Sequence, residues 1–435
     1  MSNFSIFAPF VLLFLFQGLA PILTTQGRGL TPTGLFDDAH VFVTLNEVAS
    51  VDKSSGQIFG RELELNWVNF DYPNYAGHSV KLFDHDPEQD PSSPLSSHTV
   101  GESTGYVKTN FRLEVLNFTS VRQEFCLAWM GYFRSGDTRP YKSNCLRLYP
   151  TWMNDIRDII GNKPLRKLMI PGTHDAGAWI VYDGSFASDG ILARFTYTQE
   201  EHIYNQLVSG VRYLDVRVGH YPSSTGEEFW VNHDLVKIRE LKNLLQDVLK
   251  FVTEFKEVVF MDFHRFPQGF TSESIHEKLY DFLLEHLGDV LAPRSLTIDA
   301  TLNQLLNAKK YVVLTYNDDF YTKRNLLWSP LQHGWGDKNT VEKLLDYLPT
   351  AISEFGCTNR FWSAMAELSP AAGDIITRPN YGLRNMAADV NKPLNVWYKT
   401  PQWYSKSNIV STDYYFGNDL IQTCIKVNRN SGITC

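Results

Sequence analysis

Hydrophobic and polar positions fall into two textures along the chain. From about residue 30 to 150, short runs alternate between apolar and polar positions and are broken by turn residues, at 41–45, 63–67, 80–83, 106–111 and 125–132. A period of two with closely spaced turns predicts an antiparallel β-sandwich. The stretch 84–97, rich in Asp, Pro and Ser, predicts a surface loop. After Tyr149-Pro150-Thr151 the period changes. Strands are expected at 168–171, 211–218, 258–263, 311–316 and 394–398, with helices at 237–255 and near 272–287 and 341–354. In the first helix Leu241, Leu244, Leu245, Val248 and Val252 share one face. Thr198-Gln199-Glu200-Glu201 reads as a capping box opening a further helix that Gly210 ends. Strands alternating with helices imply a parallel sheet with helices outside it. The length of residues 151–435 fits a TIM-type (β/α) barrel with irregular repeats. The chain is therefore expected to be an α/β protein, with a β-sandwich domain at 28–150 ahead of a barrel domain at 151–435.

An apolar run from Phe7 to Leu23, followed by small and polar residues, adds a targeting segment to this picture. It reads as a signal peptide covering 1–27, so the expected localisation is secreted and extracellular. No Lys or Arg precedes the run and Pro21 follows Ala20, which leaves an uncleaved anchor as the alternative, at the short limit for a membrane span. No later segment is as apolar, and the polar C-terminus lacks the tail of a lipid-anchor signal. With 435 residues, 43% of them hydrophobic, there is ample material for a core. A net charge of −8 argues against a nucleic-acid partner held on a basic face. The five cysteines include no C-x2-C pair, so disulfides are favoured over a zinc site. Cys126 with Cys145 and Cys424 with Cys435 are the local pairs, leaving Cys357 as a buried thiol. Asn117-Phe118-Thr119 is a glycosylation sequon.

Candidate chemistry lies at the carboxyl ends of the expected barrel strands. Ile170-Pro171-Gly172-Thr173-His174-Asp175 puts a histidine beside a carboxylate, and Tyr213-Leu214-Asp215-Val216-Arg217, Val231-Asn232-His233-Asp234 and Val258-Val259-Phe260-Met261-Asp262 follow. Residues two apart in a strand share a face, so Asp215 and Arg217 point to one side. Alone they would read as a buried salt bridge. Two histidines, an arginine and carboxylates converging on one rim are harder to explain by stability. One histidine can remove a proton from a hydroxyl while the other delivers one to a leaving oxygen. An arginine can hold two phosphate oxygens and offset the charge gathering on them. Together these parts describe phosphodiester cleavage. Trp397-Tyr398-Lys399, at another expected strand end, offers an aromatic platform and a phosphate contact, which makes Tyr398 and Lys399 candidate substrate-binding residues. His264, Arg265 and His220 read as structural rim groups, and His202, His276 and His286 as surface groups on helices. The aromatic stretches 328–335 and Trp403-Tyr404 read as rim loops suited to a lipid interface.

Over residues 151 to about 267 the order of Trp152-Met153, Ile170-Pro171-Gly172-Thr173-His174-Asp175, Thr198-Gln199, Gly210-Val211-Arg212, Leu214-Asp215-Val216-Arg217 and Asn232-His233 resembles the X domain of the phosphatidylinositol-specific phospholipases C. The resemblance is to the X-domain-containing proteins and the bacterial secreted enzymes. Beyond Phe266 it is weak, and it does not include the sandwich. It implies His174 as general base on the inositol 2-hydroxyl and His233 as general acid on the glycerol oxygen. It also implies Asp175 orienting His233, Asp413 orienting His174, and Asp215 and Arg217 contacting the 2-hydroxyl and the phosphate. The products implied are diacylglycerol and a 1,2-cyclic inositol phosphate. Calcium-dependent members carry an acidic residue at the position of Arg217, so the resemblance implies catalysis without metal or other cofactor. Asp262, similar to an acidic position of that branch, is expected to hydrogen-bond Arg217 or an inositol hydroxyl as a substrate-binding residue. The implied partner is an inositol phospholipid or a glycosylphosphatidylinositol-anchored substrate, reached by peripheral membrane contact. Two alternatives stand beside this reading. One is a catalytically silent inositol-phospholipid-binding module, disfavoured by the retention of both histidines and Arg217. The other is a magnesium-dependent glycerophosphodiesterase or sphingomyelinase-like barrel, whose acidic metal cluster Arg217 would obstruct.

Overall fold

Alternating apolar positions and polar turns fold the first part of the chain into two antiparallel sheets. The computed structural model describes residues 34–36, 38–51, 58–113, 117–180, 190–430 and 432–434. The apolar run at 7–23 and Cys435 lie outside them. In the first sheet β1 (His40–Leu45) and β3 (Ile58–Val68) pair with Leu45 opposite Leu63 and Val43 opposite Leu65, so that one face is uniformly apolar; β2 (Ser50–Val51) adds to the start of β3. The second sheet takes β4 (Ser79–Phe83), β5 (Ser96–Thr99), β7 (Phe125–Phe133) and β8 (Lys142–Leu148) in the order β5-β4-β7-β8, while β6 (Gly105–Leu113) pairs with β3. Cys126 and Cys145 form a disulfide across β7 and β8. The second expected pair does not form. Cys424 is a free, buried thiol, and Cys357, expected to be the unpaired one, is disulfide-bonded.

The second texture becomes a mixed α/β sheet that curls on itself. Its parallel strands are β9 (Ile170–Thr173), β10 (Tyr213–His220), β13 (Val259–Gln268), β14 (Val312–Tyr316), β15 (Gln332–Gly334), β16 (Trp362–Met365) and β17 (Ile409–Thr412), side by side in the order β14-β13-β10-β9-β17-β16-β15. Beyond Val218, β10 instead meets β11 (Phe229–His233), which forms an antiparallel hairpin with β12 (Val236–Glu240). Among the described residues β14 and β15 do not pair, so the barrel is open along that seam. Gly172 admits the close approach of β9 to β10, since a Cβ there would stand 2.6 Å from the Tyr213 ring.

Two expectations are corrected here. The helix expected at 237–255 begins only at Leu241, because 236–240 is the second arm of the β11–β12 hairpin. The strand expected at 394–398 is the end of a helix, Gly382–Trp397. Leu394 to Tyr398 is a short, largely apolar run that imitates a strand when read alone, but Leu383, Met386, Ala387, Val390 and Leu394 recur at helical spacing and are all buried.

Both parts share one continuous apolar core, to which Leu65, Phe70 and Met130 contribute from the antiparallel sheets and Leu207, Val216 and Val218 from the barrel. Polar ties reinforce it: Arg61 pairs with Glu201, and Asn391 Nδ2 donates to Glu47 Oε1 at 2.7 Å. The motif residues Trp152 and Arg212 act at the amino-terminal end of β10, away from the chemistry. Arg212, fully buried, donates to Glu257 Oε2 through Nε (3.0 Å) and Nη2 (2.7 Å), and Glu257 accepts from the backbone N–H groups of Met153 and Asn154. Glu257→Ala leaves the guanidinium buried without its counter-charge. A loss of about 3–5 kcal/mol in urea unfolding is expected.

Candidate active site

The ends of β9, β11 and β17 and the middle of β10 bring the candidate residues to one rim. β9 stops at Thr173, and Asp175 turns the chain with φ +36; after β17, Tyr414 does the same with φ +45 beside Asp413. Left-handed non-glycine residues cost about 1–2 kcal/mol each, and such strain gathers where a site dictates the backbone. The turn is pinned from behind. Thr198 Oγ1 donates to the Asp175 carbonyl at 2.9 Å, and Gln199 Nε2 donates to the carbonyls of His174 (3.0 Å) and Thr412 (2.9 Å). Thr198-Gln199 is therefore not the capping box expected of it. The next helix starts at Ile203 with no side-chain cap, because these groups are already engaged by the β9 turn.

Asp215 and Arg217 point inward together, as their spacing in β10 predicts. Arg217 Nη2 donates to Asp215 Oδ2 at 3.2 Å and to His174 Nε2 at 2.5 Å, while Nη1 lies 3.7 Å from Asp175 Oδ2. His174 Nδ1 lies 2.8 Å from Asp413 Oδ1. Burial favours the neutral ring of His174, yet the Asp413 and Glu367 carboxylates push it up to about 9. The contact with Arg217 requires the reverse, since a protonated Nε2 would face a guanidinium N–H head on. The hydrogen-bond geometry decides: the proton sits on Nδ1 toward Asp413, and Nε2 keeps its lone pair. Burial also works against ionisation of Asp215, but Arg217 holds that carboxyl far below its ordinary value. Asp175 is pushed up to about 7 by burial against the pull of Arg217, and among the described residues neither of its oxygens has a hydrogen-bond partner.

His233 ends β11, where its Nδ1–H donates to the Thr196 carbonyl at 2.6 Å. This corrects the expectation that Asp175 orients it: Asp175 is turned to Arg217 instead. Burial, with the positive charge of Arg217, pushes His233 down to about 4. His174, His233, Arg217 and Asp413 all line one cavity of about 510 Å³. Its opposite wall is apolar, with Ile191, Leu192, Phe195, Val236 and Leu368. Ile191 (51%) and Leu192 (52%) stand half exposed at the mouth, and Leu235 (75%) and Ile376 (79%), the sequence neighbours of lining residues, are more exposed still.

Other expected residues are not brought to this cavity. Asp262 is fully buried and accepts from Tyr213 Oη (2.7 Å) and Thr315 Oγ1 (2.6 Å), with His333 Nε2 at 2.7 Å; no hydrogen bond to Arg217 forms among the described residues. Tyr398 is buried at the end of the Gly382–Trp397 helix, and Lys399 Nζ is bound to both Asp419 oxygens at 2.6–2.7 Å. Of the aromatic stretches, Trp328 and Trp403 are buried core, and Trp335 alone of the three reaches the cavity. His276, expected at the surface, is buried with Nδ1 2.6 Å from Tyr316 Oη.

The sequence reading took Arg265 as a structural rim group and did not single out Glu367 or His333. Arg265 lines the cavity with its guanidinium 4.2 Å over the Trp335 ring. Glu367 lies buried in electrostatic range of His174 and is pushed up to about 7 by burial, with neither oxygen hydrogen-bonded among the described residues. His333 meets Asp262 from β15. Their common signal is a polar residue within or just after a strand, but β15 and β16 are only three and four residues long and give no periodicity to read.

No family model matches the chain. PI-PLC X domain-containing protein 2 of Mus musculus is 28% identical over 298 residues, spanning 64% of this chain and 87% of that protein. PI-PLC X domain-containing protein 1 of Danio rerio is 26% identical over 305 residues, spanning 65% and 97%. Among solved structures, the phosphatidylinositol-specific phospholipase C from Listeria monocytogenes aligns with a TM-score of 0.49 at 17% identity, covering 65% of this chain and 98% of that one.

Proposed function

Since the chain belongs to the PI-PLC X domain-containing protein family, we propose that it is a phosphatidylinositol phosphodiesterase. It cleaves the glycerol–phosphate bond by attack of the inositol 2-hydroxyl, releasing diacylglycerol and a 1,2-cyclic inositol phosphate. The observation that carries this reading is His174 held between Asp413 and Arg217, with His233 lining the same cavity. His174 Nε2 takes the hydroxyl proton as the 2-oxygen bonds to phosphorus. The bond to the glycerol oxygen breaks as His233 gives that oxygen a proton, so the two ring charges exchange and the total is unchanged. Arg217 leaves Nε2 for the phosphate oxygens, where its charge and paired N–H groups oppose the developing negative charge. A fixed cation at this place supports cleavage in the presence of EDTA.

His233 is neutral in the free protein above about pH 4, so the proton it must deliver arrives with the substrate. A phosphate anion beside the ring raises its pKa, and binding then takes up a proton. Titration with inositol 1-phosphate at pH 6 in two buffers of different ionisation enthalpy should report uptake of a fraction of a proton in the wild type and less in His233→Ala. No uptake would contradict the acid role.

The half-exposed apolar mouth suits a lipid surface, and we assign it peripheral contact with a membrane carrying phosphatidylinositol or a glycosylated form of it, outside the cell. Replacing both Ile191 and Leu192 by serine should lower partitioning onto phosphatidylinositol vesicles at least tenfold, given about 25 cal/mol per Å² of apolar surface. Turnover of a soluble short-chain substrate should fall far less than turnover of vesicles.

A further inference from the structure

We propose that Asp262, His264 and His333 bind one divalent transition-metal ion of the zinc class, which clasps the open seam of the barrel. The three residues offer two imidazole nitrogens and one carboxylate oxygen, all within 4.8 Å of one another. Zinc bonds of about 2.0–2.2 Å place tetrahedral ligands about 3.4 Å apart, so side-chain rotations of about 1 Å complete the site. Two nitrogen donors suit zinc or its neighbours better than calcium or magnesium, which take oxygen. The site is thus different in kind from a calcium centre at the position of Arg217.

Three observations support it. His264 is buried, its Nε2 accepts from Arg265 Nε at 3.3 Å, and its Nδ1 has no hydrogen-bond partner among the described residues, so the ring is left with one unsatisfied nitrogen. Asp262 is already fixed by the hydroxyls of Tyr213 and Thr315, the outer hydrogen bonds that orient a metal-binding carboxylate. The third observation is topological. Asp262 and His264 lie on β13 and His333 on β15, the edge strand that no backbone pairing ties to β14. His333 reaches Asp262 at 2.7 Å, and the imidazole rings of His264 and His333 stand 3.8 Å apart. An ion replaces that one hydrogen bond with a bridge from β13 to β15. Arg217 and Arg265 nearby oppose a cation, whereas Asp215, within electrostatic range of both imidazoles, adds to the charge of Asp262. His264 also lines a second cleft of about 450 Å³, which gives the ion a path from solvent.

The clasp is independent of the proposed reaction, and its test is read without activity. The full chain, stripped with EDTA and dialysed, is titrated with zinc chloride, desalted and analysed for metal. One zinc per chain and a higher melting temperature than the stripped protein are expected. His333→Ala should bind at least tenfold more weakly and show no zinc-dependent rise in melting. His174→Ala should keep its zinc while losing cleavage, which separates this site from the catalytic reading. Failure of the wild type to retain zinc overturns the proposal, as does equal retention by His333→Ala. Should that variant not fold, cobalt(II) in the wild type gives a second readout: visible bands of a tetrahedral nitrogen–oxygen site are expected, and their absence overturns the proposal.

Discussion

His174→Ala is expected to lower kcat/KM on phosphatidylinositol about 10²–10⁴-fold, the usual contribution of a positioned base. His174 is the residue on which the other groups converge: Asp413 fixes its proton on Nδ1, and Arg217 marks the lone pair of Nε2. The loss should fall in kcat, because Arg217 and His233 remain to bind the phosphate. Asp413→Asn keeps the shape but offers the ring an amide in place of a carboxylate. A smaller fall in the same constant is expected, together with a downward shift of the His174 titration, since Asp413 is the leading group that holds that ring up. Rates of vesicle hydrolysis against pH, with inositol 1-phosphate binding as control, check both.

Arg217→Ala should damage both activity and stability. Removing a preorganised donor from the transferring phosphate costs about 10²–10³ in rate. The same change strips Asp175 and Asp215, both fully buried, of their shared counter-charge. One uncompensated buried charge costs about 3–5 kcal/mol. Without Arg217 both folded-state carboxyl groups lie above their unfolded values, so the folded state binds more protons than the unfolded one. Stability of the variant should then rise as the pH falls from 7 toward 5. Arg217→Lys restores charge but not the two-pronged geometry. It should recover stability more fully than rate, as urea unfolding and kcat together would report.

The legible parts of this fold are those with long periodic segments. Leu241 to Val252 reads as a helix because a 15-residue element repeats its apolar face four times, and Asp215 with Arg217 reads as an inward pair because β10 spans eight residues. The histidines just after β9 and at the end of β11 carried enough sequence context to be placed. What stayed hidden depends on contacts distant in sequence. Thr196 orients His233 across 37 positions, and His333 reaches Asp262 across 71 from a three-residue strand. Tyr398 and Lys399 misled because a short, largely apolar run imitates a strand at the end of a 16-residue helix. Glu367 follows a four-residue strand, so nothing local announces that it ends beside His174.

In the proposed reaction His174 and His233 carry out an intramolecular transphosphorylation with Arg217 in the role of a cation. Phosphorus NMR of phosphatidylinositol vesicles incubated with the purified chain in EDTA tests it directly. Growth of a cyclic 1,2-phosphodiester resonance is expected with the wild type, and no detectable growth with His174→Ala. Absence of that resonance with the wild type, or its appearance only when calcium replaces EDTA, would contradict it.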